Sequence, residues 1–139
     1  MVRSELFTNG SDAMPLTDDG ALWIAKALMN DSATFYTASN AYLGVGNGGG
    51  TAFATNQHDL VGPSKLRKGM ESPYPSRSAN TVTYRSLFAT GEANFVWSEV
   101  GLFNGAVANE MFNRIVAALG TKTSAAAWQL TFAITINAV

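Results

Sequence analysis

The sequence predicts a mainly β protein: an antiparallel β-meander or sandwich with one short N-terminal helix. Apolar and polar residues alternate over 80–88 and again over 128–136, the period of a strand with one buried face. Short apolar runs are separated by segments rich in Gly, Pro, Asn and Ser, which break regular structure. Only one stretch, 18–30, spaces its apolar residues as a helix does.

Residues 1–16 show no periodicity and read as an arm or loop. Thr17 is an N-cap, with Asp18 and Asp19 in the first turn, where carboxylates meet the positive end of the helix dipole. Leu22, Ala25, Leu28 and Met29 then repeat at helical spacing, and Asn30 is a stop. Residues 1–31 are thus an N-terminal arm and helix suited to attachment, and 32–139 an antiparallel β domain. Within it, Ala41–Val45 is a short strand running into Gly46-Asn47-Gly48-Gly49-Gly50, a loop. Residues 56–78 hold three of the four prolines and form a long connection with an edge strand at 65–69. Val82, Tyr84, Ser86 and Phe88 share one strand face. Thr90-Gly91-Glu92-Ala93 has turn chemistry and predicts a hairpin into a strand at 94–103. A strand at about 111–118 follows. The last strand sets Trp128, Leu130, Phe132, Ile134 and Ile136 on one face.

Composition narrows the classes of function. Of 139 residues, 47% are hydrophobic but only 14% charged, against roughly 25% in an average soluble domain. A surface of Ser, Thr, Asn, Gly and Ala suits a chain packed against copies of itself or other proteins. A formal net charge of −1 argues against a nucleic-acid binder. No run of about 20 apolar residues exists to span a membrane, and the opening MVRSELFTNGSDAMPL has no signal-peptide core. With no cysteine there is neither a disulfide framework nor a thiolate site.

Chemistry is sparse. Gly44-Val45-Gly46-Asn47-Gly48-Gly49 matches G-x-G-x-x-G, but no helix opens at its end and no βαβ unit follows, so it reads as a tight loop. His58, the sole histidine, has Asp59 beside it but no nucleophile at a readable spacing. No catalytic, metal or cofactor residues are expected. Lys65, Arg67, Lys68 and Arg77 lie in one basic stretch and are candidate assembly contacts for a protein partner. Glu99 shares its predicted strand face with Phe95, Trp97, Gly101 and Phe103. A carboxylate there needs a donor. Arg114, on the next strand, is the expected partner in a structural ion pair, and Arg85 the second choice.

Three segments in order, Tyr42-Leu43-Gly44-Val45-Gly46-Asn47-Gly48, Thr55-Asn56-Gln57-His58-Asp59-Leu60-Val61 and Trp97-Ser98-Glu99-Val100-Gly101-Leu102-Phe103, resemble bacteriophage tail-collar and tail-fibre proteins. Asn113-Arg114 and Gly120-Thr121-Lys122 extend the resemblance, which covers roughly residues 40–136. It implies a non-enzymatic virion structural protein, made in the host cytoplasm and located in the virion. A tail-fibre, collar or adaptor component would assemble as a symmetric homo-oligomer, a trimer by analogy with fibres, and bind other virion proteins. A chain ending at Val139 is expected to lack a fibre's shaft and tip. The alternatives are a capsid decoration (cement) protein and a carbohydrate-binding β-sandwich module. The last would need Trp23, Trp97 or Trp128 exposed. No cofactor, nucleic acid or membrane partner is expected.

Overall fold

In a computed structural model, residues 2–6, 15–108 and 110–137 are described, those at 2–6 by their backbone alone. The chain forms two four-stranded sheets packed face to face, with one helix, so the mainly β sandwich holds. In chain order the elements are β1 (Val2–Leu6), α1 (Asp18–Met29), β2 (Tyr42–Gly46), β3 (Lys65–Gly69), β4 (Ser76–Ser78), β5 (Thr81–Phe88), β6 (Val96–Phe103), β7 (Met111–Thr121) and β8 (Trp128–Ile136). The first sheet has the order β1-β8-β5-β4 and the second β3-β2-β6-β7. Described pairings are antiparallel except β1 on β8, which is parallel.

Between the sheets lies the main core. Leu43, Val45, Trp97, Val100 and Leu102 of one sheet meet Tyr84, Phe88, Leu130, Phe132 and Ile134 of the other. The rings of Phe88 and Trp97 sit 4.8 Å apart, edge to face, across this interface.

Two sequence expectations change. The predicted hairpin between 80–88 and 94–103 does not form: β5 pairs with β8, and β6 with β2 and β7. Both strands have an apolar face, and they use those faces against each other across the core rather than lying edge to edge. Alternation fixes which face is buried but not which strand lies alongside. The connection through Thr90–Ala93 therefore crosses between sheets. Lys122, buried at the end of β7, holds it by donating to Ala89 O at 2.8 Å and Asn94 Oδ1 at 2.9 Å. The β6–β7 hairpin does form. The second change is at the N-terminus, where residues 2–6 are strand rather than arm or loop, in register with Phe132–Ile136. Five residues are too few for a legible period, and the edge of β8 supplies the pairing that the sequence does not advertise. Residues 7–14 of the expected arm lie outside the described residues.

The helix forms where capping chemistry puts it. Gly20 N–H donates to the Thr17 hydroxyl at 3.0 Å, and Asn30 closes the helix in the left-handed region at φ 53°. Contacts cross the expected boundary at 31/32. Thr17 N–H donates to Phe112 O at 3.2 Å, its hydroxyl donates to Met111 O, and Asp18 N–H donates to Thr55 O at 2.8 Å. Gly20 is the one buried helical residue, and a Cβ there would overlap the Phe112 carbonyl. Among the described residues no helix is long and apolar enough to cross a membrane.

Gly20→Ala should therefore destabilise the protein by about 1–3 kcal/mol through overpacking, although alanine is the better helix former by about 1 kcal/mol. Urea unfolding measures the difference. An unchanged or raised midpoint would show that α1 does not seat on β7 this closely.

Candidate functional site

The outer face of the second sheet is covered by the long connection between β2 and β3. Gly44 and Gly101 are direct cross-strand partners, and Leu60 from the connection lies over them. Leu60, Phe103 and Met111 form a second small core with Tyr42 against it. At Ser98 the β6–β7 register shifts. The shift turns Trp97 toward the inter-sheet core and Glu99, Gly101 and Phe103 toward the covering loop. Glu99 thus does not share a face with Trp97, as plain alternation predicts, because an irregularity resets the period.

Beneath the loop, Arg114 Nε donates to Glu99 Oε2 at 2.6 Å, with both side chains fully buried. The carboxylate accepts three backbone N–H groups besides: Gly48 at 3.0 Å and Gly62 at 2.8 Å on Oε1, and Val61 at 3.2 Å on Oε2. The guanidinium donates to Gly48 O at 2.9 Å, Thr51 O at 3.1 Å and Gln57 Oε1 at 3.2 Å. A buried ion pair is tolerated when its remaining donors and acceptors are met in this way. Gly46 of the G-x-G-x-x-G match, and Gly48 at one of its open positions, have a local reason: a Cβ at either would overlap Glu99 Oε1. They make room for a carboxylate of the same chain.

Each of the four candidate assembly residues also has a partner within the chain. Lys65 pairs with Asp59 at 2.7 Å, and Arg67 with Asp59 at 3.1 Å. Arg67 also donates to Gly105 O and Ala108 O and stacks 3.5 Å above the Phe103 ring. Lys68 pairs with Glu92 at 2.6 Å, and Arg77 donates to Ala79 O. Arg85, the second choice for Glu99, pairs instead with Glu71 at 3.0 Å and lies over Tyr74. His58 turns from Asp59 to Asp19, 2.8 Å away in the first turn of α1.

These contacts set the ionisation of the surface groups. Burial pushes the Asp59 carboxyl up, but hydrogen bonds from Lys65 and Arg67 outweigh it and hold the group below its usual range. The Lys68 ammonium holds Glu92 down. The Asp19 carboxylate holds His58 above its usual value. Burial pushes the Tyr84 phenol up to about 12 and Tyr36 further.

No arrangement of nucleophile, base and oxyanion donors emerges among the described residues, and no three His, Cys, Asp or Glu side chains there gather to hold a metal. Trp97 is buried, and Trp128 packs on it at 5.1 Å between ring centroids. Trp23 is half-buried and donates to Thr34 O. An apolar cleft of about 390 Å³ opens between α1 and the end of β8, lined by Trp23, Leu28, Phe112, Ile136 and neighbouring aliphatics. Gln57, Gly48, Val61 and Gly62 complete the ion-pair site; the first three lie in the segments that carry the resemblance, but the sequence assigns none of the four a part in the pair. Their signal is compositional: a buried carboxylate needs several donors, and a glycine-rich loop offers free backbone N–H groups. No protein-family model matches the sequence, and no match is found among curated proteins.

Two outcomes follow for this site. Glu99→Gln leaves Arg114 buried without a counter-charge and should cost about 3 kcal/mol or more, read from denaturant unfolding; wild-type stability would remove the pair from its central place. For His58, the folded value lies above the unfolded one of roughly 6.5. Its contribution is therefore full below that value and fades as pH rises through the folded value. Titrating the imidazole by NMR in wild type and Asp19→Asn should show a lower pKa in the variant. Equal values would mean that the contact does not form in solution.

Proposed function

We propose that this chain is a non-enzymatic structural protein of a bacteriophage virion, a tail-fibre, collar or adaptor component that works as a symmetric oligomer. One observation carries the reading. The separated segments that resemble tail-collar and tail-fibre proteins converge on one buried point. Gly48 of the first and Val61 at the end of the second donate to Glu99 of the third, and Arg114 of the fourth closes the pair. These converge on a sealed lock that shapes a loop, as a scaffold requires. The low-charge surface adds support, because it favours a chain embedded among protein neighbours.

Immunogold electron microscopy and quantitative mass spectrometry of particles from cells carrying the gene test this reading. The expected outcome is label on the tail or collar, with copy number on the order of tens, consistent with a closed symmetric ring or fibre. Label spread over the head at hundreds of copies would replace it with capsid decoration. Absence from purified particles would overturn the virion role.

A further inference from the structure

Asparagine precedes glycine at 9–10, 47–48 and 104–105, and the last two of these pairs lie among the described residues. An Asn-Gly peptide is chemically labile, because no side chain on the glycine shields its main-chain nitrogen. That nitrogen attacks the carboxamide carbon of the asparagine. A bond forms between the glycine nitrogen and Cγ, the bond from Cγ to Nδ2 breaks, and the glycine amide proton leaves with the ammonia. Water then opens the cyclic imide at either carbonyl, giving aspartate or isoaspartate. Ring closure needs a carboxamide free to swing onto the nitrogen and a main chain free to turn.

At Asn47-Gly48 both reacting groups are tied. Gly48 N–H donates to Glu99 Oε1 at 3.0 Å, and Gly48 O accepts from Arg114 at 2.9 Å, so the ion pair grips the glycine on both sides. The carboxamide points elsewhere: Ser64 N–H donates to Asn47 Oδ1 at 3.0 Å, and Asn47 N–H donates to Ser64 O at 3.0 Å. Gly48 is buried and Asn47 only half-buried, so water lies close to the reacting carbon. Asn104-Gly105 is held from different residues. Asn104 is buried, accepts from Glu110 N–H at 2.9 Å, and donates to Thr34 O at 3.0 Å and Glu110 Oε2 at 3.1 Å.

We propose that Asn47 is a deamidation site that the Glu99–Arg114 pair keeps closed, and that its reaction once the loop opens unlocks the loop irreversibly. Either product adds a negative charge one residue from the N–H that Glu99 must accept, so like charges oppose reclosure. Isoaspartate also inserts a carbon into the main chain just before Gly48, which moves that N–H out of register with the carboxylate. The buried pair thus sets the chemical lifetime of the loop as well as its shape, since an opened segment can be modified before it recloses. The inference goes beyond the virion role and does not depend on it.

Peptide mapping by mass spectrometry tests this in the full-length chain, aged in mildly alkaline buffer with and without guanidinium chloride. Conversion is followed at Asn47 and Asn104 together. In native wild type both should react far more slowly than in the denatured chain. In Arg114→Met, Asn47 should react at least about tenfold faster than in wild type, because loss of one partner breaks the buried pair, while Asn104 stays slow. Gln57→Ala removes one acceptor from the guanidinium but keeps both charges, so it serves if Arg114→Met does not fold. There Asn47 should react about threefold faster or more, the effect of one lost hydrogen bond, again with Asn104 unchanged. A native Asn47 that reacts as fast as in the denatured chain would overturn the proposal. Faster reaction still would overturn it as well, by making Glu99 a base for ring closure. An Asn47 rate unchanged in both variants, or equal acceleration of Asn47 and Asn104 in Gln57→Ala, would remove the ion pair as the guard.

Discussion

A fully buried carboxylate and a fully buried guanidinium, 2.6 Å apart, hold the rest of this structure in place. Two charges withdrawn from water are stable together only if every remaining lone pair and proton finds a partner. Here those partners are the backbone groups, and the Gln57 side chain, of a glycine-rich loop whose buried apolar anchor is Leu60. A glycine-rich segment cannot be held down by burial of side chains, and its N–H groups must bond to something once covered. Glu99 supplies acceptors for Gly48, Val61 and Gly62, and Arg114 supplies donors for Gly48 and Thr51. The pair does for this loop what a neighbouring strand does for another.

Other features follow from the loop being fixed. Leu60 can seat over the Gly44–Gly101 pair, which buries the outer face of the second sheet. Thr55 accepts from Asp18, so the start of α1 is tied to the loop, and His58 of the loop reaches Asp19. Arg67 and Lys65 close over Asp59 at the loop's far end. Each of these surface contacts is worth little alone. They act on a backbone whose position the buried pair has set.

The class of the fold was legible because alternation in β5 and β8, and the capping chemistry of Thr17 and Asn30, are local signals. The Glu99–Arg114 pair was legible because a charge within an apolar strand demands an opposite charge on a neighbour. What stayed hidden is non-local. Nothing in 80–103 distinguishes a hairpin from a crossing between sheets, since both bury the same residues. The irregularity at Ser98 moved Trp97 and Glu99 to opposite faces, and no composition signal marks it. Val2–Leu6 is too short to show a period. The partners of Lys65, Arg67 and Lys68 were not legible, because Asp59 and Glu92 meet them only after folding.

Native-state amide hydrogen exchange tests the central claim most directly, since it reads opening residue by residue. If the buried pair orders the loop, the amides of Gly48, Val61 and Gly62 exchange in wild type nearly as slowly as those of β5 and β8. In Arg114→Met they become fast while the two strands stay slow. Amides of the loop that exchange quickly in wild type, or remain slow without the guanidinium, would contradict the account.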